Sequence, residues 1–160
     1  MRKPVSPLNR GFRFRTCMDI EDIRSKITDP EIDPQRVLDM YNAPFARAMG
    51  IELVSIGKEG AACTMELLPS HLNSMGRGHG AAVYSLIDHA FAFASNAYAD
   101  GTGLSTEVKF HRPALGKLTA TAKAVNRSRS LEVFDVRVTS EEGKLIASAV
   151  CTAFMLRKRS

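Results

Sequence analysis

Apolar positions set the architecture before any chemistry is considered. The stretch IELVSIGKEGAACTMELLP, residues 51–69, places its apolar residues in two short runs joined at the glycines of 57–60, and so predicts two strands. A glycine-bearing turn, GRGHG at 76–80, then leads into some twenty residues that are apolar on nearly every side, which predicts one long helix over about 79–98. Four further strands follow. GLSTEVKFHRP is the first; KLTATAKAV is the second, with Leu118, Ala120, Ala122 and Ala124 facing one way and Thr119, Thr121 and Lys123 the other. SLEVFDVRVTS comes after a polar turn at 126–129, and KLIASAVCTAFML comes after Glu142 and Gly143. Upstream, Ile20, Ile23 and Ile27 are spaced for a short amphipathic helix. Asp33 reads as an N-cap and Pro34 as the first helical residue of a second short helix that carries Val37, Leu38 and Tyr41 and stops before Pro44.

The connections among the last four strands are too short for crossover helices, so the sheet is expected to be mainly antiparallel. A helix with an apolar circumference must be enclosed, and the sheet is the only partner large enough. The expected fold class is α+β, a long central helix wrapped by a curved sheet. At 160 residues the chain reads as one such domain, residues 34–160, preceded by a polar, proline-punctuated and peripheral extension, residues 1–33.

Composition changes this picture little. No apolar run reaches the ~18–20 residues that spanning a bilayer needs, so no membrane segment is expected. The net charge of +5 suggests nucleic acid until its distribution is followed. Arg2, Lys3, Arg10, Arg13 and Arg15 stand in residues 1–18 with no acid, and the remaining chain holds 17 basic and 17 acidic residues. The basicity therefore belongs to the leader, which lacks the apolar face of a transit peptide and the h-region of a signal peptide and is expected to be disordered. Cys17, Cys63 and Cys151 are odd in number and far apart, which favours neither a disulfide framework nor a zinc site; a reducing cytoplasm fits.

The chemistry concentrates around Asp88. On the long helix Ser85, Asp88, His89, Ser95 and Asn96 recur at spacings of three and four, so Asp88 lies on one polar stripe. It is either simply the wet side of the helix or, flanked by Tyr84, Ile87, Phe91 and Ala92, a partly desolvated carboxylate and hence a stronger base. Gly76, Gly78 and Gly80 allow a close backbone approach, and the free N–H groups at the helix start suit an anion or a developing oxyanion. The spacing is not that of a P-loop, and the strands that follow provide no parallel βαβ unit for a dinucleotide. Gly80 and Asp88 stand ~12 Å apart along a helix, too far to serve one reacting carbonyl in one chain. If both act on one substrate, two helices must run antiparallel across a twofold axis, with two equivalent sites per dimer.

The segment HLNSMGRGHGAAVYSLIDHAFAFASNA resembles the signature of hotdog-fold acyl-CoA thioesterases of the PaaI-like, or 4-hydroxybenzoyl-CoA thioesterase, superfamily. The shared features are an Asn, a glycine turn, a His-Gly pair and an Asp nine residues after the His, and the likeness extends over about 34–157. It implies that Asp88 is general base or nucleophile, that Gly80 donates its N–H to the oxyanion, and that Asn73 positions the water or the carboxylate. His79 matches a histidine that is structural or orients the thioester, and Ser105 a hydroxyl that helps hold the water in some members. Ala81 replaces the second family glycine; its N–H remains, while its methyl trims the acyl pocket. Because CoA carries phosphates, Arg112, Arg127 and Arg129 are implied as substrate contacts, with His111, Arg157, Lys158 and Arg159 as weaker ones.

The resemblance thus implies hydrolysis of an acyl-CoA thioester in the cytoplasm without metal or organic cofactor, by a homodimer or a dimer of dimers that binds neither nucleic acid nor membrane. The alternative from another class is a non-catalytic acyl-CoA-binding module or regulator. A hydratase on the same fold needs a different Asp and His arrangement that the sequence lacks.

Overall fold

The computed structural model describes residues 18–156. The basic leader, Cys17 and the terminal Arg157, Lys158 and Arg159 lie outside the described residues. Three short helices open the chain. In α1, Ile20–Arg24, the Asp19 carboxylate accepts from the N–H groups of Glu21 and Asp22 at 3.0 and 2.9 Å. In α2, Pro34–Tyr41, Asp33 caps Gln35 at 2.9 Å and Pro34 occupies the first turn, as the sequence predicts. A third helix, α3 at Pro44–Met49, was not foreseen. The sequence pattern reads Pro44 only as a stop, yet a residue without an N–H suits a first helical position equally well, and Gly50 at φ 65° closes the helix.

The sheet is built from β1 (Ile51–Gly57), β2 (Gly60–Glu66), β3 (Gly101–Phe110), β4 (Lys117–Arg127), β5 (Leu131–Ser140) and β6 (Leu145–Met155). Its order is β1-β2-β4-β5-β6-β3, with every neighbouring pair antiparallel. The one long helix, α4 at Gly80–Ser95, lies across β2, β4 and β5. This is the helix wrapped by a curved sheet that the sequence predicts, a hotdog fold. Leu118, Ala120 and Ala122 of β4 are buried as their alternation demands. β4 is longer than expected: a bulge after Ala124 carries Asn126 and Arg127 into the ladder opposite Val133 and Glu132. Conversely α4 ends at Ser95, where the Asn96 side chain donates to the Ala92 carbonyl at 3.1 Å and accepts from the Gly101 N–H at 2.8 Å, turning the chain into β3.

The core lies between α4 and the concave sheet. Phe91 meets the fully buried Phe134 edge-on, with ring centroids 5.6 Å apart, and truncating such a phenylalanine costs about 3–5 kcal/mol. Residues 19–33, set with the extension on sequence grounds, pack onto this body. Ile23 and Ile32 are buried, and the Thr28 N–H and Lys26 carbonyl bond Ile56 at 2.9 Å each, covering part of the outer edge of β1. The other outer strand, β3, has no strand on its free edge among the described residues, and most of its residues are exposed.

Candidate active site

Three glycines in the 76–80 turn do three different things. Gly76 takes φ 69°, a left-handed turn position, and Gly78 is tightly packed: a Cβ there would meet Leu67 Cδ1 at 2.8 Å and Ala114 Cβ at 2.9 Å. Gly80 has neither constraint, since a Cβ would meet only the Phe110 ring at 3.5 Å, an ordinary contact. The loop before α4 is braced by Asn73, whose Oδ1 accepts from the N–H groups of Met75 and Arg77 at 2.9 and 3.2 Å. Because that oxygen faces two donors, the Asn73 Nδ2 is the group left to donate elsewhere.

The first turn of α4 has four N–H groups to satisfy. His79 is the N-cap, and its Nδ1 accepts from Ala81 at 3.0 Å. The His79 carbonyl accepts from Ala82 and Val83 at 2.9 and 3.2 Å. Among the described residues only the Gly80 N–H has no acceptor, so the helix start presents one free donor. A nitrogen that accepts carries no proton, so the other ring nitrogen of His79, Nε2, is the one that presents an N–H donor. Ala81 is exposed, but its N–H is spent on His79.

Asp88 lies on the face of α4 that the sheet does not cover. Ala81, Tyr84 and Asp88 are exposed there, Ser85, His89 and Ala92 are half-buried, and Ser95, which the spacing placed on the same stripe, is buried at the helix end. One flank of this face is closed by α3, whose Arg47 acts electrostatically on His89. Arg47 Nη1 donates to the Tyr41 hydroxyl at 2.9 Å and pairs with Glu52 at 3.4 Å, while Tyr41 in turn donates to Glu52. β3 closes the other flank. Asp88 thus lies exposed on α4 between these two flanking elements. Shielding by the surrounding protein pushes its carboxyl above the ordinary carboxylate range, although the side chain still reaches solvent in the single chain. His89 is held down to about 4, first by burial and then by the Arg47 charge, so it is neutral at pH 7.

Two contacts fix how β3 passes α4. Gly80 faces Phe110, and Phe91 faces Gly103, where a Cβ would be 3.6 Å from the Phe91 ring. The two elements therefore run antiparallel, and Asp88, ~4.5 Å along the helix from Phe91, stands level with residues 104–106. Ser105 pairs opposite Thr152, in line with the exposed Val150 and Phe154, so the bulge between Gly103 and Ser105 turns it to the outer face of the sheet. Thr106 pairs opposite the buried Cys151 and faces the helix. Its hydroxyl bonds the Cys151 thiol, and the Asp88 charge acts on that same thiol. Sequence reasoning missed Thr106 because the bulge shifts the alternation by one residue.

The arginines do not gather in one chain. Arg112 donates from Nη1 to the Leu145 carbonyl at 2.8 Å, two residues beyond Phe110 and so near the start of α4. Arg127 lies at the opposite end, 3.6 Å from Glu132 and 5.7 Å from the Tyr98 ring, and Arg129 is exposed in the turn that follows. A groove of about 460 Å³ lined by Thr28, Pro30, Lys58 and Thr121 involves no residue of α4. Among the described residues no three His, Cys, Asp or Glu side chains gather as a metal set, and no helix is long and apolar enough to cross a membrane.

The sequence pattern of the Thioesterase superfamily matches residues 75–147. The acyl-coenzyme A thioesterase PaaI of Escherichia coli K12 is 32% identical over 112 residues, covering 68% of this chain and 80% of that protein. The solved structure of the E. coli PaaI protein superposes with a TM-score of 0.74 at 28% identity, over 77% of this chain and 92% of that one. A hypothetical thioesterase from Streptococcus pneumoniae TIGR4, solved with coenzyme A, gives 0.64 at 26% identity, over 69% and 88%.

Proposed function

The chain belongs to the hotdog-fold thioesterase superfamily as a PaaI-like thioesterase, and from that premise we propose that it hydrolyses an acyl-CoA thioester to the free acid and CoA at a site shared by two copies. The observation that carries this reading is one helix with a single free N–H at its start and a carboxylate of raised proton affinity on its uncovered face. Gly80 and Asp88 lie ~12 Å apart in one copy, and an antiparallel pair of α4 helices sets each beside the other's counterpart.

In this reading Asp88 takes a proton from water as the water oxygen attacks the thioester carbonyl carbon. The negative charge that develops on the carbonyl oxygen is met by the Gly80 N–H of the second copy at the positive end of α4. Collapse of the tetrahedral intermediate breaks the C–S bond, and the CoA thiolate takes up the proton held by Asp88. Asn73 Nδ2 and His79 Nε2–H are donors beside this path, and Thr106 takes the place on the helix-facing side of β3 that the resemblance offered to Ser105. A direct attack by Asp88, giving a mixed anhydride that water then cleaves, uses the same groups. After a single turnover in H₂¹⁸O, label in the Asp88 carboxylate identifies the anhydride route with water attacking the Asp88 carboxyl carbon, whereas the general-base route places label only in the product acid. A cytoplasmic setting suits a CoA ester as substrate.

The test is release of free thiol across a panel of aromatic and aliphatic acyl-CoAs. We expect turnover of at least one, and a fall in kcat of roughly 10²–10⁴ in Asp88→Asn with the assembly unchanged. Turnover within a few-fold of the parent would remove Asp88 from the reaction.

A further inference from the structure

The acyl-CoA reading leaves open which groups meet the phosphates of CoA, and the cations implied for that task lie at the two ends of α4. Arg112 is near its start, and Arg127 and Arg129 are beyond its end, across a helix of 16 residues, ~24 Å long. Arg112 and Arg127 are also engaged within the chain, with the Leu145 carbonyl and with Glu132. Arg129 is exposed and has no carboxylate partner among the described residues; Arg77, which the sequence did not single out, shares both properties. The backbone of Arg77 is firmly held. Its N–H donates to Asn73 Oδ1 at 3.2 Å, its carbonyl accepts from the Asn73 N–H at 2.7 Å, and the next residue, Gly78, donates to Ala114 at 2.9 Å. A rigid hairpin therefore carries this guanidinium three residues before the free Gly80 N–H.

When two α4 helices run antiparallel with Asp88 of one copy level with Gly80 of the other, whatever precedes Gly80 in one copy lies beside whatever follows Asp88 in the other. The Arg77 hairpin of one copy then flanks the same opening as the Tyr98 and Arg129 end of its neighbour. In that arrangement the two arginines, which have no carboxylate partner among the described residues and are far apart in one chain, would stand at one shared opening. We propose that Arg77 of one copy and Arg129 of the other bind the phosphates of CoA at the outer end of each site. This rests on the function proposed above.

The test compares two substrates with the same acyl group, an acyl-CoA and the corresponding acyl-pantetheine, which lacks every phosphate. Arg77→Ala and Arg129→Ala should each raise KM for the acyl-CoA about tenfold, the worth of one charge-assisted bond to phosphate, with kcat within about twofold. KM for the acyl-pantetheine should not move. Equal changes on both substrates, or no change on the acyl-CoA for either variant, would overturn the proposal. Hydrolysis of neither substrate by the parent would defeat the function instead. Calorimetric titration with CoA alone still decides the arginines in that case: tighter binding by the parent than by Arg77→Ala and Arg129→Ala supports them, and equal binding overturns them.

Discussion

A hybrid dimer reads the shared site directly. Two inactive variants are needed, one for each half. Asp88→Asn keeps shape and removes the base. For the other half, Gly80→Pro removes the single uncommitted N–H of the α4 start, and the backbone is suited to it. Proline favours the first helical position, and His79 already sits at φ −62° and ψ 140°, the extended conformation that a residue before proline requires. A Cβ at residue 80 meets Phe110 at 3.5 Å without a clash. Melting temperature and sedimentation of Gly80→Pro should therefore match the parent, while loss of an oxyanion donor should lower kcat by about 10²–10³.

The two variants are mixed in equal amounts, dissociated and reassembled. Random pairing makes half of the dimers hybrid, and each hybrid has one site with both defects and one site with neither. Activity should return to about one quarter of the parent per subunit, at least ~25-fold above either variant alone. A site contained in one subunit predicts no recovery, because every subunit of the hybrid is defective. Activity that stays at the mean of the two variants after exchange is shown to be complete would refute the shared site, and so would an active monomer.

Other consequences are open to simpler measurements. The Asp88 carboxyl is raised by desolvation, so kcat should fall as the pH drops through an apparent pKa above the ~3.9 of a free aspartate, and a rate flat down to about pH 4 would exclude a desolvated base. A raised folded-state value makes the ionised form the less stable one, so Asp88→Asn should raise the melting temperature at pH 7, and the gain should vanish once the pH is low enough to protonate Asp88 in the folded parent. Thr106→Val should lower kcat by more than Ser105→Ala, since only Thr106 faces the helix; the reverse order would place Ser105, and not Thr106, beside the reaction. His89 is depressed to about 4, so the unfolded chain binds its proton first and stability should decline between about pH 6.5 and 4; His89→Phe should flatten that decline in a urea titration.

What could be read from residues alone was whatever rests on local period and on side-chain type. The alternation of Leu118, Ala120 and Ala122 and the Asp33-Pro34 cap needed no partner to declare themselves, and the six strands and the long helix followed. The misses have both local and long-range causes. α3 was hidden because Pro44 both ends one helix and starts another. Thr106 was hidden because a bulge reverses which of two adjacent hydroxyls faces inward. Arg77 does not stand out in the sequence, because the role proposed for it rests on its side chain being exposed with no carboxylate partner among the described residues, which only a packed structure reveals.

The same distinction bears on why Asp88 and Gly80 occupy one helix. Gly76 and Gly78 are accounted for inside the chain, by a positive φ and by the side chains of Leu67 and Ala114. Gly80 is not: nothing among the described residues of its own subunit needs the missing Cβ or uses its N–H. Asp88 is unexplained in the same way, because no hydrogen bond or ion pair among the described residues offsets the shielding that raises its proton affinity. Both residues are exposed on one helix, and neither finds its compensation among the described residues. In the shared site proposed above, a second helix laid antiparallel on this one would give each of them a counterpart, with the reacting carbonyl between the two.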